Sequence, residues 1–197
     1  MVKHGLLLVS FLVMGFLPVG RLEKMKAGAG PPTETGSARL TEPTGQTPPR
    51  AQEACADSAH RQFDFWLGEW EVTNPAGKAA GTNRITRILG GCVLREEFTS
   101  ASGGYAGTSL NIYDAAGGRW HQTWVDTRGL LLRLDGGLRD GRMVLEGDRV
   151  DRQGRSVRDR ITWEALEGGR VRQVWTVSRD GGESWSRVFE GIYSRFH

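Results

Sequence analysis

The sequence has few of the residues that most often build metal and nucleophilic sites. It contains only two cysteines and four histidines in 197 residues. No two of these histidines have the spacing of zinc ligands, and no G-x-S-x-G motif places a nucleophilic serine on a tight turn. We therefore predict no metal, no cofactor and no serine or cysteine nucleophile.

An excess of one charge is also absent from most of the chain. The formal net charge is +3, and this excess lies in residues 1–29, which hold four basic residues and one acidic residue. No run of lysine or arginine stands beside aromatic residues on one strand, which removes the electrostatic footprint of a nucleic-acid-binding protein. We predict no nucleic-acid partner.

Long hydrophobic runs are missing except at the N-terminus. Lys3 and His4 precede an apolar run over residues 5–20, which has the charge pattern and length of a secretory signal peptide. This run is shorter than the roughly 20 residues that span a bilayer comfortably. We predict that residues 1–29 are a signal peptide or an uncleaved anchor. The protein would then be exported, periplasmic or secreted, and would meet the membrane only through this segment if it is retained.

The next segment is a linker. Residues 30–59 contain five of the seven prolines, among Thr, Gly, Ser and Gln. Such a composition buries too little apolar surface to offset the entropy of ordering, which predicts a disordered spacer before a domain over residues 60–197. Cys55 and Cys92 follow the leader, and an even pair in an oxidising compartment favours a disulfide. Two buried thiols are the alternative.

No helical pattern of 10–15 residues interrupts the domain, which reads as strands separated by glycine-containing turns. Ten strands are predicted, at about 68–74, 81–89, 92–99, 105–113, 118–127, 129–136, 141–150, 155–166, 169–178 and 184–195. Such strands predict an all-β fold, a closed antiparallel up-and-down barrel of eight to ten strands, and a two-sheet sandwich is the alternative. Residues 58–67 are predicted to form a short helical plug, capped by Ser58, that inserts Phe63, Phe65 and Trp66 into one end.

Two resemblances agree with a barrel. Gly68 and Trp70 form the Gly-x-Trp signature of the calycin superfamily, the lipocalins and fatty-acid-binding proteins, which implies that Trp70 packs on a basic residue of the last strand, here Arg195. The motifs FDFWLGEW, GGCVLREE, GTSLNIYD, RWHQTWVD, SRDGGESW and FEGIYSR occur in this order. Together they resemble a bacterial family of exported lipocalin-like proteins, defined as a domain of unknown function. This resemblance implies a fold and gives no information about activity.

Strand parity predicts which side chains point into the barrel. Val157, Ile161 and Trp163 share the inner face of one strand, whereas the orientation of strand 105–113 stays open. Polar and aromatic residues converging in a concavity are typical of a small-molecule site. The predicted ligand-binding set is Glu96, Asn111, Gln122, Trp124, Asp126, Gln173 and Trp175. The alternative is that Glu96 and Asp126 face solvent at strand ends or pair with arginines such as Arg87.

Two further features have a plain structural explanation. His121 alternates out of phase with Trp120 and Trp124, so it is predicted to face solvent, although nitrobindin-type barrels bind haem through a single histidine. Residues 178–185 match the Asp-box pattern of sialidase propellers. A single copy predicts a hairpin staple, in which Asp180 caps the turn and Trp185 anchors it in the core.

The leading hypothesis for function is therefore binding of a small organic molecule inside the barrel. An enzyme that uses Glu96 and Asp126 as an acid/base pair is the second class. A structural or interaction module of the cell envelope is the third.

Overall fold

The computed structural model describes residues 55–196, which form one closed barrel preceded by a short helix, α1 (Ser58–Arg61). The ten strands are β1 (Gly68–Thr73), β2 (Ala79–Ile88), β3 (Val93–Ser100), β4 (Ala106–Asp114), β5 (Arg119–Asp126), β6 (Leu131–Arg139), β7 (Arg142–Val150), β8 (Ser156–Ala165), β9 (Val171–Ser178) and β10 (Ser186–Arg195). All ten predicted strands are confirmed, with ends within about three residues of the predicted ones.

The sheet has up-and-down topology. Each strand pairs antiparallel with the next, and β1 pairs antiparallel with β10, which closes the barrel. Trp70 lies opposite Arg195 in that closing pair, and Thr73 lies opposite Ile192. Closure leaves no edge strand available for pairing with another chain, and it excludes the two-sheet sandwich.

The orientation of β4, which the sequence left open, is the reverse of the usual hydrophobic pattern. Ser109 and Asn111 are buried inside the barrel, whereas Leu110 and Ile112 lie on the outer face and are 50% and 39% exposed. Inside, Ser109 and Asn111 hydrogen-bond to residues of the neighbouring strands. These bonds remove the usual penalty for burying polar groups.

The helical plug is confirmed in outline and differs in its cap. The side chain of Asp57, not Ser58, accepts hydrogen bonds from the first backbone N–H groups of α1. A 3₁₀ turn over Asp64–Trp66 follows. Phe63 and Trp66 are fully buried and stack on each other with ring centroids 4.9 Å apart, so they close one end of the barrel.

Next to the plug, Trp70 and Arg195 make the contact that the calycin resemblance implies. The Arg195 guanidinium lies 4.0 Å from the centroid of the buried Trp70 ring. Gly68 has φ of +135°, and a Cβ there would collide with this guanidinium. Glycine is therefore needed at this position both for its backbone conformation and for the close approach of Arg195.

The Asp-box segment is a hairpin staple on the outside of the barrel. The Asp180 carboxylate accepts hydrogen bonds from the backbone N–H and hydroxyl of Ser184. The prediction that Trp185 anchors this hairpin in the core is wrong. Trp185 lies half-buried on the outer face, where the Arg160 guanidinium sits 3.8 Å from its ring centroid.

Cys55 and Cys92 form the predicted disulfide, which ties the segment before α1 to the start of β3. A disulfide indicates an oxidising, extracytoplasmic environment. The predicted leader (1–29) and all but the last five residues of the predicted linker lie outside the described residues. Within residues 55–196, no helix is long and apolar enough to cross a membrane.

Candidate functional site

A cavity of about 240 Å³ lies inside the barrel at the end away from the plug. Its lining runs from buried Glu96 to exposed Arg128 and Val188, so the cavity reaches the surface. Six aromatic residues contribute to the wall: Phe98, Tyr105, Trp124, Trp175, Phe189 and Tyr193. This volume is somewhat below the roughly 300–1,000 Å³ of common ligand pockets, which limits an occupant to a small molecule.

The cavity exists because the inward residues change type along each strand. On β5, Trp120 packs against the plug, Gln122 lies in the middle and Trp124 lies at the open end. On β3, Leu94 and Phe98 flank Glu96 in the same way, and β9 places Gln173 next to Trp175. The interior is thus a polar layer between an aromatic plug and an aromatic mouth.

Glu96 is the centre of the polar layer. One carboxylate oxygen accepts a hydrogen bond of 2.7 Å from Asn83 Nδ2, and the other accepts one of 2.6 Å from Ser109 Oγ. The Tyr193 hydroxyl receives a long contact of 3.4 Å from the same Asn83 nitrogen and donates to Gln173. Within the part of the chain that the structure describes, Glu96 forms no salt bridge, so its charge has no basic partner there.

A backbone carbonyl fixes the orientation of the Asn111 amide, and Asn111 in turn fixes the orientation of the Gln122 amide. Asn111 Nδ2 donates to the carbonyl of Leu94 at 3.1 Å and to Ser109 Oγ at 2.9 Å. Asn111 Oδ1 must therefore accept, and it does so from Gln122 Nε2 at 2.7 Å. Because its amide nitrogen is committed in this way, Gln122 is left with a buried Oε1 that has no partner within residues 55–196.

The same reasoning applies on the other side of the carboxylate. Asn83 Nδ2 donates to Glu96, which leaves Asn83 Oδ1 buried and without a hydrogen-bond partner among the described residues. Two orphaned amide oxygens therefore accompany the Glu96 carboxylate. The polar layer therefore has more acceptors than its own donors can satisfy. Each buried acceptor without a donor typically lowers the free energy of unfolding by about 1–3 kcal/mol.

Burial raises the pKa of Glu96 to about 7, although the hydrogen bonds from Ser109 and Asn83 act in the opposite direction. Burial also raises the pKa of Tyr105 to about 12, with a contribution from the nearby Asp126 carboxylate. The pKa of Tyr193 is raised well above its usual value, chiefly by burial and then by the Glu96 charge. Glu96 is therefore the group of the polar layer that changes charge near neutral pH.

A wide groove crosses the open end of the barrel next to the cavity, and we call it the mouth groove. It has a volume of about 720 Å³ and shares Tyr105, Arg128, Trp175 and Val188 with the cavity. Its charged lining residues are Asp126, Arg128, Arg133, Asp148, Arg149, Asp151, Arg152, Arg155 and Arg179. Arginines outnumber aspartates there, so the entrance to the cavity carries a positive charge.

The structure brings most of the predicted ligand-binding residues to the cavity. Those that line it are Glu96, Gln122, Trp124, Gln173 and Trp175. Asn111 is fully buried behind this wall and holds Gln122 in place. The alternative positions at the strand ends or beside Arg87 are wrong for Glu96, since Arg87 pairs with Asp64.

Asp126 lies elsewhere, at the end of β5 in the mouth groove. Its Oδ1 accepts hydrogen bonds from the backbone N–H groups of Arg128 and Leu130 at 2.8 and 3.0 Å, and Oδ2 accepts from the Tyr105 hydroxyl at 3.1 Å. Asp126 shapes the turn between β5 and β6. The acid/base hypothesis requires Asp126 and Glu96 to share one site, whereas the Asp126 carboxyl group lines the mouth groove and the Glu96 carboxyl group lines the cavity.

Sequence reasoning missed two residues that organise this site. Asp159 is buried on β8, where it accepts a hydrogen bond of 2.9 Å from Trp175 Nε1 and pairs with Arg149 at 2.8 Å. Asn83 on β2 donates a hydrogen bond of 2.7 Å to the Glu96 carboxylate. Both lie at inward positions of the alternation, Asp159 between Val157 and Ile161 and Asn83 between Gly81 and Ile85, so strand parity alone could have found them.

His121 lies on the outer face of β5, where Nδ1 is 2.9 Å from the Asp135 carboxylate and Nε2 is 2.9 Å from Thr123 Oγ1. Within residues 55–196, no group of three or more His, Cys, Asp or Glu side chains is arranged to hold a metal ion. A scan against protein-family models found no match for the chain, and a search of curated proteins found no related sequence.

Proposed function

We propose that the barrel binds a small organic molecule in its cavity. The observation that carries this proposal is the cavity floor, which is lined by the buried Glu96 carboxylate and by Gln122, whose amide oxygen has no hydrogen-bond partner among the described residues. A barrel built for stability alone would fill this space with apolar side chains, because unsatisfied buried acceptors are destabilising. A ligand that donates hydrogen bonds would satisfy them.

The walls and entrance support the same function. The Trp124 and Trp175 rings provide flat apolar surfaces at the open end, and Trp175 is held by its hydrogen bond to Asp159. Gly107 lies beneath the Trp124 ring, and any Cβ at that position would collide with it. The walls are thus held in place around the space before a ligand arrives, which reduces the entropy lost on binding.

Mass spectrometry under native conditions tests this function on protein purified from its own host. We expect a reproducible bound mass that disappears when the protein is denatured. The double substitution Gln122→Leu and Trp124→Leu should abolish it, whereas Trp185→Leu, on the outer face, should retain it. An empty wild-type protein would contradict the proposal and would favour an interaction module of the envelope. Turnover of a ligand that depends on Glu96 would favour an enzyme.

We also infer that the protein is exported through residues 1–29 and belongs to the exported lipocalin-like family that its motifs resemble. The disulfide and the closed ten-stranded barrel support both inferences. Fractionation of the host separates the periplasmic, secreted and membrane-anchored forms, and N-terminal sequencing of the mature protein identifies a cleavage site.

A further inference from the structure

The chemistry of the cavity floor restricts the class of ligand. The carboxylate of Glu96 has no basic partner among the described residues, and Gln122, which also lines the cavity, has an Oε1 acceptor without a donor among them. An ammonium group has three N–H donors and no acceptor. It therefore supplies both the missing charge and the missing donors of this layer.

The cavity above the floor suits the remainder of such a ligand. Aromatic rings surround it, including Phe98, Trp124 and Phe189. Aromatic faces are attractive to organic cations and pack well against a ring-sized apolar body. A volume of about 240 Å³ accommodates one ring and a short chain.

The positive charge at the entrance disfavours a cation there, so the ammonium group of a bound ligand lies at the floor beside Glu96 and not at the mouth. Arg128 is the only basic residue that lines the cavity in the described part of the chain, and its guanidinium lies at the mouth, 4.6 Å from the Tyr105 ring centroid. A second cationic group at the outer end would be repelled there. The ligand accordingly carries a single positive charge, directed inward.

We propose that the cavity binds a primary organic amine with a ring-sized apolar body, and that its ammonium group pairs with the Glu96 carboxylate. This inference rests on the proposed ligand-binding function and specifies the ligand class. Tyr105 and Tyr193 are neutral near pH 7, since a tyrosine ordinarily has a pKa of about 10 and burial raises the pKa of each further. Glu96 is then the group at the floor whose charge governs binding.

Calorimetric titration with three matched probes tests the inference: 2-phenylethylamine, 2-phenylethanol and 3-phenylpropionate. They share a ring and a short chain, and they differ in charge. At about pH 8, where an alkylammonium is still protonated, we expect the amine to bind about tenfold or more tightly than the other two, as a charge-assisted hydrogen bond implies. Glu96→Gln should remove that preference. Glu97→Gln should preserve the preference for the amine, because Glu97 is exposed on the outer face of the same strand.

The pH dependence of the wild-type protein gives a second readout if Glu96→Gln fails to fold. Glu96 has a pKa raised to about 7, so it loses its charge below that pH while the amine stays charged. The affinity for 2-phenylethylamine should therefore fall about tenfold or more between about pH 8 and pH 5. The affinity for 2-phenylethanol should not fall in parallel.

Two results would overturn the amine inference. If the alcohol or the carboxylate binds as tightly as the amine, and the affinities do not depend on Glu96 or pH, the cavity binds ligands of another class and the proposed function stands. If none of the three probes binds, the amine inference fails. The bound mass from the host then decides separately whether the barrel is a binding protein.

Discussion

Glu96 is a buried carboxylate that lowers the stability of the barrel, and ligand binding gives a reason for its presence there. It is buried at the floor of the cavity, its carboxylate accepts only two hydrogen bonds, both from neutral donors, and no basic side chain among the described residues pairs with it. Unpaired buried charges are among the most destabilising features of a protein interior. Such a residue is more easily explained by what it binds than by what it contributes to folding.

The substitution Glu96→Gln should make this destabilisation measurable. The pKa of Glu96 rises from 4.5 to about 7 on folding, so the folded protein keeps a proton that the unfolded chain releases between those values. The contribution of this residue to the free energy of unfolding is fully present below about pH 4.5 and is lost as the pH rises through about 7. The stability of Glu96→Gln relative to wild type should therefore increase with pH, by up to about 3 kcal/mol.

Denaturant unfolding at several pH values between about 4.5 and 8 measures this difference. Glu97→Gln is the matched control, because it removes an exposed carboxylate from the same strand and should change stability by less than about 0.5 kcal/mol. A stability difference between Glu96→Gln and wild type that stays constant over this range would show that Glu96 does not hold a proton in the folded protein.

At the scale of the elements, the period-two alternation and glycine turns were enough to predict all ten strands, because each strand has one face in the barrel and one in water. The alternation could not orient β4, where Ser109 and Asn111 face inward and Leu110 faces outward. It also could not place Trp185, because the Asp-box hairpin turns its tryptophan onto Arg160 on the outer wall. In both places, specific polar or cation–π contacts outweigh hydrophobicity.

The disulfide joins the plug segment to the barrel, and its removal should weaken the whole fold. Cys55 and Cys92 close a loop with a sequence separation of 37 residues. The chain-entropy model gives a crosslink of this length a stabilisation of about 3–4 kcal/mol. The double substitution Cys55→Ser and Cys92→Ser should lower the free energy of unfolding by that amount, measured by denaturant titration.

Reduction of the wild-type protein should lower the unfolding midpoint to that of the double-serine variant, and the variant itself should not respond to reductant. An unchanged midpoint in the variant would mean that α1 and the aromatic plug are held by packing alone. Phe63 and Trp66, which are fully buried against Trp163, would then be the dominant attachment.

For the whole molecule, the sequence predicted a closed barrel and part of its lining, and five of the seven predicted ligand-binding residues line one cavity. It could not separate Asp126 from Glu96, because the two are distinguished by depth along the barrel rather than by face. Depth depends on strand stagger, and stagger is set by register across all ten strands, which no single strand pattern contains.

The nuclear magnetic resonance signals of the indole N–H groups test ligand binding inside the barrel most directly. The protein has seven tryptophans, and their positions divide them into reporters and controls. Trp124 and Trp175 line the cavity, Trp66 and Trp163 lie at the plug, and Trp185 lies on the outer wall. Single Trp→Phe substitutions assign each signal.

The measurement is a titration of the protein with 2-phenylethylamine, 2-phenylethanol and 3-phenylpropionate in turn, so that the result does not depend on the charge of the ligand. We predict that at least one probe shifts the Trp124 and Trp175 signals in a saturable manner and leaves the Trp185 signal in place. A probe that binds by calorimetry and leaves the Trp124 and Trp175 signals in place, or a shift confined to Trp185, would contradict a binding site inside the barrel.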